Sequence, residues 1–113
     1  MKDADKASER RRVPRIEVDF PVTVSWKGKQ FRWKAQEFSE YGILLITARK
    51  ELVGEELHLS LILDSSQPPL DLVGMVAYAT DVGLGIRFKN VPSPDQTALR
   101  YYVLSRGIGK PQS

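Results

Sequence analysis

The chain has 113 residues, enough for one domain, and its 42% apolar and 27% charged residues are typical of a packed globular fold. With no cysteine and a single histidine, it offers neither a disulfide framework nor the usual ligands of a zinc site. No stretch approaches the roughly 18 apolar residues of a spanning helix, and the charged start is unlike a signal peptide, so we expect an unprocessed cytoplasmic protein without membrane insertion.

The net charge of +3 is concentrated at the N-terminus. Residues 1–15 hold six of the 17 basic and three of the 14 acidic residues, and the rest of the chain holds eleven of each. A neutral body with a basic arm predicts an anionic partner that meets the arm. Residues 1–9 are polar and lack apolar periodicity, which predicts a flexible tail.

Strand patterns fill the middle of the chain. Apolar residues alternate with polar or small ones at most positions, most clearly in the run of four leucines from Leu57 to Leu63. The short apolar run that begins at Ile43 fits a strand covered on both faces. Gly74 predicts a bulge or a close approach of two backbones. The predicted strands are 18–26, 30–38, 43–47, 57–63, 70–78 and 84–88.

Aromatic residues near the first predicted turn allow two interpretations. Trp26, Phe31 and Trp33 interleave with lysines and arginines, as in a platform that stacks nucleic-acid bases. Alternation favours the simpler interpretation, in which the aromatic rings face the core and the basic groups face water.

A helix is predicted after the last strand. Ser93 suits the N-cap, Pro94 the first helical position, and Asp95 the positive end of the helix dipole. Four residues make an apolar stripe, and Gly107 is placed to end the helix. The stripe consists of Ala98, Leu99, Tyr102 and Val103.

These elements predict an all-β fold: a six-stranded antiparallel β-barrel with a short C-terminal α-helix and a flexible basic N-terminal arm. Curling six strands into a barrel buries the apolar face and removes exposed edges, and the helix would plug or flank one opening. The predicted domain spans residues 10–106, and residues 107–113 form a second flexible tail.

Residues suited to catalysis are scarce. His58, the single histidine, lies on the outward face of the leucine strand and has no predicted base partner. Two pairs of glutamates, Glu37 with Glu40 and Glu55 with Glu56, are interpreted as surface charge. Residues 83–85 resemble a phosphate-binding loop but lack its third glycine and following helix, so a turn entering a strand explains them better. We therefore expect no enzyme and no metal site.

Two motifs flank the first predicted hairpin. Arg10–Arg15 reads R-R-R-V-P-R, and its four guanidinium groups repel one another unless an anion neutralises them. Glu37–Gly42 reads E-F-S-E-Y-G. Together they resemble the PilZ family of bacterial receptors for cyclic dimeric GMP (c-di-GMP), which pairs R-x-x-x-R before the first strand with [D/N]-x-S-x-x-G at the end of the second. Arg11–Arg15 matches the first motif in full, and Glu37 stands where the family has aspartate or asparagine.

The resemblance implies a receptor that binds c-di-GMP and needs no cofactor. Arg11 and Arg15 would hold phosphate or guanine edges, because the planar guanidinium matches both. Ser39 would offer its hydroxyl, Gly42 would allow a tight turn and close approach, and Glu37 would accept hydrogen bonds from guanine N1 and N2.

The resemblance also has implications for Tyr78 and Arg10. Tyr78 aligns with a position where the family often has an aromatic residue; it either stacks on a guanine or packs within its strand, and both interpretations stay open. Arg10, directly before the R-x-x-x-R motif, implies that the ligand binds as a stacked pair.

Three hypotheses of function remain. The first is a c-di-GMP receptor that relays its signal to an unidentified effector protein. The second is a protein-interaction adaptor of the same fold that has lost the nucleotide, because the side chain of Glu37 is one methylene longer than aspartate. The third, a DNA or RNA binder that uses the basic arm, is the least favoured, since the charge excess is confined to the arm.

Overall fold

A computed structural model describes residues 14–109, with the backbone alone for residues 107–109. It contains seven strands, a 3-10 helix (Lys50–Leu52) and one α-helix, α1 (Ser93–Gly109). The strands are β1 (Arg15–Glu17), β2 (Pro21–Trp26), β3 (Lys29–Ser39), β4 (Gly42–Ile46), β5 (Glu56–Leu61), β6 (Leu70–Ala79) and β7 (Gly83–Lys89).

Six of the strands close into an antiparallel barrel, which confirms the predicted fold class. The order around the barrel is β3, β2, β5, β6, β7, β4, and β4 pairs again with β3. The additional strand, β1, pairs with the end of β3 beyond β2. Closure leaves the six barrel strands without a long unpaired edge.

The first predicted strand, 18–26, is divided in the structure. Pro21 begins β2, while β1 lies before it, and both pair with the same edge of β3. Pro21 comes four positions after Glu17, but its partner Lys34 comes only three positions before Glu37, so the pairing shifts by one residue between the two strands. The chain nevertheless follows β3, because Val18 N–H donates to the Gln36 carbonyl at 3.0 Å.

Side chains that alternate inward form the core. The leucine strand packs as predicted, with Leu57, Leu59 and Leu61 buried and His58 exposed. In β4 only the inner face is covered, since Ile46 on the outer face is 39% exposed, which corrects the prediction of two covered faces. The other buried strand residues are Val22, Val24, Ala35, Phe38, Ile43, Leu45, Leu72, Val76, Leu84, Ile86 and Phe88.

The aromatic residues near the first turn are only partly buried. Phe31 and Trp33 stack on each other with ring centroids 5.1 Å apart, and Arg49 lies over the Phe31 ring. The Trp26 indole N–H donates to Glu55 Oε1 at 3.1 Å. They pack against the edge of the core, so the prediction that their rings face the core is only partly correct.

Two β-bulges change which face the following residues occupy. In β3 the register against β4 shifts between Ala35 and Glu37, and in β6 the register against β7 shifts between Val76 and Tyr78. Each bulge places two consecutive residues on the outer face. Of the two alternatives predicted for Gly74, the structure shows a close approach, because a Cβ there would lie 2.4 Å from Ile86 Cγ2, while the bulge in β6 lies between Val76 and Tyr78.

Helix α1 flanks one end of the barrel, against β1 and β3. Leu99 and Val103 are buried, and the Tyr102 ring meets the Phe38 ring edge-on at 5.6 Å. Ala98, predicted in the apolar stripe, is exposed because it lies on the solvent side of the helix. The helix continues to Gly109, two residues beyond the predicted end. Among the described residues, no helix has the length and apolar character to cross a membrane.

Candidate ligand-binding site

A cavity of about 470 Å³ opens on the outside of the barrel where β1, β3, β4, β6 and β7 meet. It brings together all the predicted site residues that lie within the described part of the chain: Arg15, Glu37, Ser39, Gly42 and Tyr78. The predicted ligand residues Arg10 and Arg11 lie outside the described residues. The remaining lining residues are Phe38, Tyr41, Ile43, Leu44, Ala77, Gly85, Ile86, Arg87 and Phe88.

Arg15 enters the cavity because β1 pairs with the end of β3, which sets Arg15 directly opposite Ser39. Its Nη1 lies 3.8 Å from Glu37 Oε1, and about half of each side chain is exposed. An ion pair this long and this exposed contributes little to stability. Both groups can therefore exchange this contact for a ligand at low cost.

Glu37 faces the cavity as a result of the bulge in β3. Continuing the alternation of Phe31, Trp33 and Ala35 would turn residue 37 into the core, but the bulge places Gln36 and Glu37 together on the outer face. Phe38 then turns inward and is buried. The carboxylate becomes an acceptor at the wall of the cavity rather than a buried charge.

The turn between β3 and β4 forms one end of the cavity, and Ser39 holds it in shape. Its Oγ accepts hydrogen bonds from the N–H groups of Tyr41 at 3.1 Å and Gly42 at 3.2 Å. This oxygen is thus already used by the turn, and the hydroxyl proton is what Ser39 can still donate. A Cβ at Gly42 would lie 2.4 Å from the Ile86 carbonyl oxygen, so this close approach requires glycine.

Tyr78 faces outward because of the bulge in β6. It lies opposite Gly85 of β7, and a Cβ on Gly85 would be 2.2 Å from the Tyr78 Cζ. The ring thus lies against the glycine backbone and leaves 52% of the residue exposed. Of the two interpretations, packing within the strand accounts for one side of the ring, and the exposed remainder is available to a ligand.

Three residues at this site were not identified from the sequence. Tyr41 and Arg87 line the cavity, and neither belongs to a recognised motif position or an unusual local pattern. Glu40, interpreted as surface charge, is 8% exposed, so that interpretation was wrong.

Glu40 connects the turn to the helix. Its carboxylate accepts from Gln96 Nε2 at 3.0 Å and from Arg100 Nε at 3.2 Å. Gln96 Nε2 also donates to the Glu40 carbonyl oxygen at 3.3 Å. Glutamine and arginine at i and i+4 of a helix project to the same side, and this spacing was the available signal.

The arrangement suits binding of an anionic, partly aromatic ligand. Guanidinium groups, a hydroxyl and a carboxylate surround an apolar floor that includes Leu44 and Ile86. The volume lies within the roughly 300–1,000 Å³ of small-molecule sites. Within residues 14–109 there is no group of three or more histidines and carboxylates able to hold a metal ion.

Comparisons with known proteins agree with this fold. The structure resembles Bacillus subtilis Inhibitor of motility (MotI/DgrA), with a TM-score of 0.72 and 20% identity over 89% of this chain and 52% of that one. It also resembles the Borreliella burgdorferi PlzA protein, solved in complex with c-di-GMP, with a TM-score of 0.65 and 17% identity over 89% of this chain and 44% of that one. The chain thus spans about half the length of these structures. No curated protein matches it in sequence.

A model of one protein family matches nearly the whole chain. The match is to the PilZ domain and covers residues 9–105, which includes both sequence motifs and every strand. The chain belongs to the PilZ domain family.

Proposed function

We propose that this protein is a cytoplasmic, non-enzymatic receptor for c-di-GMP. The observation that carries the proposal is the single cavity that gathers Arg15, Glu37, Ser39, Gly42 and Tyr78. These residues come from four strands, β1, β3, β4 and β6, which meet only in the folded barrel. The neighbouring PlzA structure contains c-di-GMP, which supports this class of ligand.

The chemistry of the cavity matches the ligand. The two phosphodiester groups of c-di-GMP are anionic, and arginine binds phosphate or the O6 and N7 edge of guanine with two parallel hydrogen bonds. Glu37 accepts from guanine N1 and N2, and the open face of Tyr78 stacks on the base. Arg10 and Arg11 approach from the N-terminal arm, and Arg10 favours a stacked pair of ligand molecules.

The arm provides a route for the output. Its arginines close over the ligand against the turn between β3 and β4, and this new surface is recognised by an effector protein. When binding orders a flexible segment, the loss of conformational entropy lowers the affinity per unit of interface area. The ordered segment also presents a new surface to a partner.

The test is titration calorimetry of the chain with c-di-GMP, with cyclic dimeric AMP as a control for the guanine contacts. We expect Arg15→Ala to cost about 2 to 3 kcal/mol of binding free energy, as is usual for charge-assisted hydrogen bonds. Arg32→Ala, an exposed arginine on β3 outside the cavity, should bind as the wild type does. Wild-type affinity in Arg15→Ala would remove this residue from the site.

The same titration distinguishes the other hypotheses. A protein-interaction adaptor that has lost the nucleotide would give no heat and no amide shifts with millimolar c-di-GMP. A nucleic-acid binder would prefer duplex DNA or RNA, with an affinity that falls steeply with salt.

A further inference from the structure

Arg87 is a basic residue of the cavity that belongs to neither PilZ motif. It lies in β7 between buried Ile86 and Phe88, so its side chain points outward. In the sheet it is opposite Gly42 of β4 on one side and Met75 of β6 on the other. Arg87 is exposed and lines the same cavity as Arg15, Ser39 and Tyr78, so its guanidinium group is accessible to a ligand bound there.

Carboxylates of the described residues neutralise other basic groups around the cavity but not Arg87. Arg15 lies beside Glu37, and Arg100 binds Glu40. Within residues 14–109, no carboxylate oxygen lies within 4.0 Å of the Arg87 guanidinium.

The nearest acidic residue in the same row of the sheet is already engaged. Glu56 of β5 pairs with Met75 of β6, and Met75 pairs with Arg87 of β7. However, Glu56 Oε1 accepts a hydrogen bond from Lys89 Nζ at 2.9 Å. This hydrogen bond from Lys89 holds the pKa of Glu56 below its ordinary value. Arg87 is therefore the uncompensated cation of the described cavity.

The backbone of the neighbouring turn cannot take over the role of an anion site. The N–H groups of Tyr41 and Gly42 both donate to Ser39 Oγ. The N–H group of Phe88 in β7 is also occupied, because it donates to the Tyr41 carbonyl oxygen at 2.9 Å. An anion seated at this turn must be neutralised by side chains, and Arg87 is held beside it by a rigid strand.

We infer that Arg87 binds a phosphate of the ligand from the barrel side, independently of the arginines of the N-terminal arm. The inference rests on the proposed function. Arg87 is in place before binding, because β7 is paired with β4 on one side and β6 on the other. Preorganised contacts of this kind cost less conformational entropy on binding.

The experiment compares Arg87→Ala, Arg87→Lys and the matched control Arg32→Ala by calorimetric titration with c-di-GMP at several salt concentrations. Arg87→Ala should weaken binding roughly ten- to hundredfold, as expected for loss of a charge-assisted hydrogen bond. Arg87→Lys should fall between Arg87→Ala and the wild type, because it keeps the charge and loses the forked geometry. Arg32→Ala should bind unchanged. The decrease of affinity with salt should be shallower for Arg87→Ala than for the wild type.

The outcomes separate the inference from the proposed function. If the wild type binds c-di-GMP and Arg87→Ala binds equally well, the inference fails alone. A weakened Arg87→Ala with an unchanged salt dependence would place Arg87 on a guanine edge and contradict the phosphate contact. If the wild type does not bind, both proposals fail. Should Arg87→Ala not fold, Arg87→Gln, which keeps the side-chain length without the charge, replaces it.

Discussion

Glu37 and Tyr78 owe their outward orientation to the backbone next to them. Each directly follows a residue displaced by a β-bulge, and without the bulge each would point into the core. An inward carboxylate would be a buried unpaired charge, and an inward Tyr78 would compete with the packed leucines for space. The bulges therefore keep these two side chains out of the core and place them at the outer cavity.

Glu37 offers a prediction at the residue scale. Glu37→Gln should weaken c-di-GMP binding by about 1 to 3 kcal/mol, because an amide presents one acceptor oxygen where the carboxylate presents two. Glu37→Asp, which restores the family's residue, should bind at least as well as the wild type. Calorimetry checks both, and an inosine analogue that lacks the N2 amino group should reduce the difference between Glu37→Gln and the wild type. Equal binding by Glu37→Gln and the wild type would exclude this carboxylate from base recognition.

At the scale of elements, the turn between β3 and β4 and helix α1 behave as one unit. Ser39 closes the turn with two hydrogen bonds, and Glu40 ties it to Gln96 and Arg100 of the helix. The Tyr102 ring packs against Phe38 just before the turn, which adds an apolar contact to the polar ones. A change in the conformation of the turn between β3 and β4 would therefore alter its contacts with α1.

This connection predicts a difference between two glutamates. Glu40→Ala should lower the free energy of unfolding by about 1 to 3 kcal/mol, because it removes the largely buried carboxylate that accepts from the partly buried Gln96 amide and from the Arg100 guanidinium. Glu51→Ala, which removes an exposed partner of Arg49, should lower the free energy of unfolding much less than Glu40→Ala. Urea denaturation of both variants measures the difference. Equal stabilities would show that the contacts of Glu40 are no stronger than those of an exposed ion pair.

For the whole molecule, the arrangement of charge and cavity predicts a localised binding footprint. The cavity lies where β4 meets β7, and the junction of β2 and β5 is on the opposite side of the six-stranded barrel. That opposite face carries short polar side chains, among them Thr23, Ser25, His58 and Ser60. Since the basic excess is confined to residues 1–15, nothing in the charge distribution draws an anion to this second face.

Amide chemical shifts recorded during a c-di-GMP titration test this footprint. We expect large shifts in residues 10–15, in 37–42 and around Arg87, and smaller ones along α1 through Glu40. His58 and its neighbours on β2 and β5 should not shift. Changes centred on the β2–β5 face would move the binding site to the wrong side of the barrel and contradict the proposed site.

From the sequence alone, the elements and most residues of the candidate cavity could be predicted. Period-two alternation and turn residues are local signals, so six strands and one helix were predictable, and the two motifs predicted that Arg15, Glu37, Ser39 and Gly42 lie together, as they do in the cavity. Strand boundaries were less well predicted at Pro21, where the register shift depends on how β3 pairs with two strands at once.

The direction in which the cavity residues face, and the identity of the unpredicted residues beside them, depend on the tertiary structure. Both bulges lie in strands that pair with neighbours on two sides of the closed barrel, and closure depends on pairings between residues far apart in sequence. For the same reason, the position of Arg87 opposite Gly42 leaves no signature in the local sequence, and the burial of Glu40 leaves only the i, i+4 spacing of Gln96 and Arg100.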